Sequence, residues 1–264
     1  MNGAAPMALG VSAPYDLLIA HLLVMVRVLA FLVVAPPFNG RTVPMRVKGA
    51  LAMAISFALA PTVAGSATFP DMPSLVWAVT YHFLTGAFMG FVALVFFSAV
   101  QAAGDLVDLF SMFTMSQLLD PMSNTQSGVF GRIEYLIGTT LLVASGGHLV
   151  MLRGLLTSFH LAPMHPPLWG DVARMGVSNL STFFVAAMEI SGPIVVVLVL
   201  ADLALGLVSR AVPSLNIFQL AFPVKTVLTV ALASVAVSLL PSAVSMLVGR
   251  VVDEMVPIDR FFGG

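Results

Sequence analysis

The sequence predicts an all-α, polytopic membrane protein, a set of helical hairpins with broken helices built from about six apolar segments. Three observations carry this reading. Of 264 residues, 59% are hydrophobic and only 9% are charged, whereas a soluble domain carries roughly 25% charged residues. The apolar residues also come in blocks: Gly49 to Pro70, Met72 to Gly104 and Thr226 to Gly249 each run without a charge. Each block reaches the roughly 20 residues that cross a bilayer core as helix. Finally, the polar-leaning stretches, Asp120 to Arg132 and Leu161 to Arg174, are too short to form a soluble domain, so residues 1–264 read as one integral membrane domain.

The segments follow in order. Leu17–Ala35 reads as a retained first helix, because Met1 to Asp16 has no Lys or Arg and no small-residue cleavage pattern follows. Ala50–Ala67, Leu75–Ala99, Ile133–Met151, Leu180–Ala201 and Thr226–Val248 complete the set, with prolines near most of their ends. Leu75 to Leu119 lacks proline and can run as one long helix, bent at Gly86, Gly90 or Gly104. Glu189 to Lys225, by contrast, is interrupted by Pro193, Pro213 and Pro223, the pattern of a broken or re-entrant helix. Arg41, Arg46 and Lys48 form the densest basic cluster, which puts the first connection on the cytoplasmic side.

Several function classes drop out. A net charge of −1 gives no basic footprint for nucleic acid, and the absence of cysteine removes disulfides and thiolate metal sites. His148, His160 and His165 are spaced by twelve and five, not by the i, i+4 that sets two imidazoles on one helical face. No phosphate loop, nucleophile elbow or acidic calcium loop is present, so no enzyme and no cofactor is expected.

The embedded charges carry more information. Arg27 stands mid-segment, where an isolated charge costs about 2.5–3.5 kcal/mol, so it needs a protein or aqueous partner. A pore or proton-path role is one reading; a packing charge paired inside an assembly is the preferred one. Glu189, Asp202, Arg210 and Lys225 invite a proton relay, but structural ion pairing is again preferred. Asp202, Gly206 and Arg210 share one helical stripe, with the two charges too far apart to meet. Gly206, and the pair Gly86 and Gly90 in a GxxxG, are candidate points of close helix packing.

Gln101, Asp105, Asp108 and Ser111 follow at helical spacings and make a polar stripe opposite Leu106, Leu109, Phe110 and Phe113. Two readings stand. One is an interfacial amphipathic helix. The other is a pore-facing element in which Phe110, Met112, Phe113 and Met115 fill a channel, since such side chains seal without fixed hydrogen bonds.

Four stretches together resemble the FliR family of flagellar biosynthetic proteins, the flagellar counterpart of the T-type export proteins of injectisomes. They are Arg27 to Pro61 (an arginine in the first helix, Ala-Pro, then Val-Pro-x-Arg-Val-Lys), Ala102 to Ser123 (Ala-Gly-acidic to Asp-Pro), Gly146 to Pro163 (Gly-His, then Ser-Phe-x-x-x-Pro) and Asp202 to Lys225 (Leu-Gly-Leu-x-x-Arg-x-x-Pro, then Phe-Pro). They occur in family order over nearly the full length. The family is richer in glycine in the second stretch, where this chain has Asp108 and Met112.

The resemblance implies a subunit of the type III export gate in the bacterial inner membrane, within the flagellar basal body. It further implies assembly with P-type and Q-type subunits around a helical pore. A-type and B-type export proteins, membrane lipid and unfolded flagellar substrates in transit would be its other partners. The family's plug segment falls in the second stretch, within which Phe110 to Ser116 is the candidate plug, and the embedded charges become candidates for pairing within the assembly. An injectisome subunit of the same fold and a proton-coupled secondary transporter are the rival readings. The chain shows no two-fold internal similarity to support the latter.

Overall fold

The structure is a computed structural model and describes residues 13–40, 43–64, 71–113, 128–161, 169–212, 214 and 216–263. Among these residues it contains helices and connecting turns, with no strand. The helices are α1 (Ala13–Val34), α2 (Met45–Val63), α3 (Met72–Phe110), α4 (Val129–Ala144), α5 (Gly147–Leu161), α6 (Trp169–Ala211) and α7 (Ile217–Gly263). Five of them, α1, α2, α3, α6 and α7, contain stretches long and apolar enough to cross a membrane.

Three sequence expectations change here. Ile133–Met151 is not one straight segment, because α4 and α5 meet at a bend of 67°. Gly146 makes the bend with φ +75, a left-handed conformation that only glycine adopts without strain. The proline-broken region is broken once, not repeatedly. Pro193 lies inside α6, which runs on to Ala211, and the interruption falls between Ala211 and Ile217; Pro213 itself lies outside the described residues. A helix can keep a proline where the freed carbonyl finds another donor. The long proline-free helix forms as one element but stops at Phe110, short of Leu119.

Two compact units result: Met1–Val92 with Leu152–Asp171 and Glu254–Gly264, and Ala93–Met151 with Val172–Asp253. In the first, α1 and α2 pack as a hairpin on Ala20 and Ala60, with His21 edge-on to Phe57 at 4.7 Å. The N-terminal half of α3 lies directly on α1. A Cβ at Gly86 would overlap the Arg27 carbonyl, and one at Gly90 would come within 3.0 Å of the Phe31 carbonyl. Asp71 caps α3, accepting the Ser74 N–H at 3.1 Å, and its bonds with Ser74 hold its carboxyl below the usual range. That contribution is present above the ordinary carboxylate pKa and is lost as pH falls through the lowered one.

In the second unit, Val107, Ile194, Leu198 and Ala236 form the core joining α3, α6 and α7. The spanning windows of α6 and α7 are 28% buried, so both present most of their apolar surface outward. In a bilayer that outward face carries no hydrophobic penalty, and helices there are held together by close packing and polar contacts.

Candidate functional site

The polar groups that sequence reasoning singled out collect at helix ends. A helix leaves its first four N–H groups and last four carbonyls without internal partners, and a low-dielectric setting makes those orphans costly. Three such ends are served by side chains from other helices.

The first lies in the first unit. Arg27 on α1 is wholly buried, and its Nη1 donates to both the carbonyl and Oγ of Ser158, each at 3.2 Å. Ser158 sits in the last turn of α5 and donates its own hydroxyl to the Leu155 carbonyl at 2.6 Å, leaving a lone pair for the arginine. The guanidinium therefore acts as a positive cap at a helix C-terminus. It also lies 4.5 Å from the Phe159 ring centroid and 5.9 Å from that of Tyr81, which adds cation–π attraction. His82 completes the pocket, buried at 6.2 Å from Phe159, with neither ring nitrogen hydrogen-bonded among the described residues. Tyr81 and His82 escaped sequence reasoning, and Ser158 and Phe159 entered it only as part of the Ser-Phe-x-x-x-Pro motif, not as partners of Arg27. The available signals were a Tyr-His pair in the uncharged first part of α3 and the Ser-Phe of the Ser-Phe-x-x-x-Pro motif.

The second end is the start of α4. Its N-cap, Gly128, has no side chain to offer. Asp108 on α3 accepts the Gly131 N–H at 3.0 Å, and Asp105 accepts the Gly128 N–H at 3.3 Å. The approach is tight: a Cβ on Gly104 would sit 2.6 Å from the Gly131 Cα. Glu134, one turn into α4, is buried with Oε2 free of hydrogen bonds among the described residues. The polar stripe of α3 thus turns its two carboxylates onto a neighbouring helix of the same unit. Neither the interfacial nor the pore-facing expectation for this stretch contained that arrangement. Asp108→Ala should cost about 1–2 kcal/mol, the usual loss for an N-cap, with Asp108→Asn milder because it keeps an acceptor. Hydrogen exchange at the first-turn amides of α4 checks this; unchanged protection in the alanine variant would count against the cap.

The third end is that of α3 itself. Lys225 on α7, only 4% exposed, donates from Nζ to the Phe110 carbonyl at 2.9 Å and forms an ion pair with Asp202 on α6. Asp202 is thereby paired inside the chain. Glu189 meets Arg250 at 3.5 Å in a half-exposed pair of the kind that contributes little. Arg210 is exposed and makes no ion pair among the described residues, and nothing lies within 4 Å of a Cβ placed on Gly206. Both remain on the open side of α6.

Past Phe110 the chain turns sharply. Met112 has φ 69, unusual for a residue with a side chain. Phe110 packs against the Val107 core and Phe113 stacks edge-on with Phe130 at 5.5 Å. Met115, Arg41 and His165 lie outside the described residues. Among those described, no group of three or more potential metal ligands comes together.

Helices able to span a bilayer, with charged groups satisfying one another's ends, define a helical membrane protein. Its sequence matches the family described as bacterial export proteins, family 1, over residues 18–251. It is 31% identical to the flagellar biosynthetic protein FliR of Bacillus subtilis (strain 168), over 85% of this chain and 88% of that one. Against FliR of Escherichia coli (strain K12) the identity is 30%, over 82% and 83%. The Yop proteins translocation protein T of Yersinia pestis is 25% identical over 79% and 82%. The chain belongs to the FliR family of bacterial export proteins.

Proposed function

We propose that this chain is a structural and channel-closing subunit of the type III protein export gate used in flagellum assembly. It would pass unfolded flagellar proteins across the inner membrane from within the basal body. Its partners in this reading are P-type and Q-type subunits around the pore, with A-type and B-type export proteins nearby, and its role is structural rather than catalytic. The flagellar branch is favoured over the injectisome branch by identities of 30–31% over 82–85% of this chain to two FliR proteins, against 25% over 79% to a Yop translocation protein and 29% over 62% to the secretion apparatus protein SsaT.

The observation that carries the closing role is the end of α3. There a buried helix stops at Phe110 and delivers Phe110, Met112 and Phe113 into one sharp apolar turn. A pore wide enough for an unfolded chain leaks unless something fills it, and apolar side chains exclude water yet yield without breaking hydrogen bonds. Truncating each phenylalanine forfeits about 1.5–3 kcal/mol of apolar burial, enough to shift a closed–open equilibrium tenfold or more. Phe110→Ala with Phe113→Ala should leave the complex assembled but leaky to ions or a small dye. The same changes at Phe96 and Phe97, which are fully buried in α3, should instead harm assembly. A double variant that assembles normally and stays as tight as wild type would remove the closing role. Purification in mild detergent tests the partners: P-type and Q-type subunits should accompany the chain.

A further inference from the structure

We propose that Lys225 is a latch that holds the end of α3, and with it the Phe110–Phe113 turn, in the closed position. The inference rests on the reading of that turn as the plug. The terminal carbonyl of a helix that gives way to a sharp turn is where the backbone is least determined by its own ladder. At Phe110 that carbonyl accepts the Lys225 ammonium at 2.9 Å. A cation is the favourable group at a helix C-terminus, where the aligned carbonyls concentrate negative potential.

The ammonium is itself constrained. At 4% exposure it is a buried charge, and Asp202 of α6 is its counter-ion. One nitrogen therefore ties three helices together: α7 carries it, α6 neutralises it, and α3 ends on it. Asp202 is more open, its side chain 47% exposed, so the counter-ion can be drawn away by a competing cation while the lysine stays inside.

The turn beyond Phe110 needs such a tie. Met112 occupies the left-handed region, a conformation that disfavours side chains and persists only where the surroundings over-determine it. Its own turn hydrogen bond, Met112 N–H to the Leu109 carbonyl, is long at 3.4 Å. Phe113 adds a ring contact to Phe130. Of these supports, the lysine bond is the one to a charged donor, and such bonds are roughly twice as strong as neutral ones. Releasing it frees the first carbonyl before the turn, and the turn can then relax outward without unpacking the Val107 core below it.

Three variants in the assembled complex separate the latch from a plain ion pair. Lys225→Met removes the donor. Lys225→Arg keeps a donor and a charge. Exchanging the pair, Asp202→Lys with Lys225→Asp, restores opposite charges but leaves no donor at position 225 for the Phe110 carbonyl. Complex yield is read alongside resting uptake of a small membrane-impermeant dye. Lys225→Met and the exchanged pair should assemble and leak about tenfold more than wild type, the shift expected for loss of one hydrogen bond to a charged group. Lys225→Arg should stay tight.

An exchanged pair as tight as wild type overturns the proposal, because ion pairing alone then suffices. Failure of both Lys225→Met and the exchanged pair to assemble overturns it in favour of a folding role. If Lys225→Met is tight while Phe110→Ala with Phe113→Ala leaks, the latch is wrong and the plug stands. If neither leaks, the plug itself is wrong.

Discussion

Arg27→Ala is expected to abolish most of the assembled complex and motility with it. The guanidinium is fully buried, and removing it strands the Ser158 carbonyl and hydroxyl lone pair in an apolar pocket. Each unsatisfied buried group costs about 1–3 kcal/mol. The cavity left beside Tyr81 and Phe159 adds to this, since a long side chain contributes packing as well as charge. The combined loss is about 3–5 kcal/mol, comparable to breaking a buried ionic contact and a large share of what holds a domain folded. Arg27→Lys tests which part matters: a lysine keeps the charge and one donor direction but loses the planar stack over Phe159. An intermediate yield is expected for it. Full assembly of Arg27→Ala with export selectively lost would instead point to a coupling role for this charge.

The second large effect is expected at Gly86. A Cβ there has no room, because it would overlap the Arg27 carbonyl, its carbon and its Cα, all backbone atoms that cannot swing aside. Even Gly86→Ala must push α3 off α1, and overpacking of this kind typically costs about 1–3 kcal/mol, more where backbone is struck. Gly86→Val should therefore behave like Arg27→Ala in complex yield and thermal stability in detergent. Gly206 is the matched contrast. With nothing within 4 Å of its Cβ position, Gly206→Ala should leave the isolated chain as stable as wild type or slightly more so, since glycine inside a helix costs about 0.5–1 kcal/mol relative to alanine. A loss of complex yield in Gly206→Ala without loss of chain stability would place Gly206 against another subunit. Equal tolerance at Gly86 and Gly206 would contradict the packing described for α1 and α3.

Gly86 and Gly206 also show where sequence reading stops. Both sit in apolar helices, and spacing alone marks both as places of close approach. Only the fold distinguishes a glycine pressed on a neighbour's carbonyl from one on an open face, because that depends on which helix arrives there. Arg27 teaches the same lesson. Its cost in an apolar segment is legible from hydropathy, so the need for a partner follows from sequence. The partner itself, a serine 131 positions away, carries no charge, and the motif it sits in says nothing of Arg27. The aspartates of α3 were visible as a stripe at helical spacing, yet their destination, the bare N-terminus of α4 at Gly128, belongs to another helix. Met112 gave only an indirect sign, the family's higher glycine content in that stretch, since a methionine in the left-handed region is set by the turn around it.

The sequence by itself determined the helical membrane class, the order of the apolar segments, the continuity of α3 and the family. Each of these follows from local quantities: side-chain hydropathy summed over a bilayer's thickness, helical period, and short motifs in order. Tertiary structure alone decided that the α4–α5 segment bends at Gly146 and that Pro193 leaves α6 intact. It also decided that Asp202 and Lys225 pair within the chain and that α3 ends on a lysine. Those outcomes turn on which buried donors and acceptors can reach one another across helices. In an apolar setting each polar group must be satisfied by whatever the packing brings near, and no stretch of sequence read alone contains both halves of that contact.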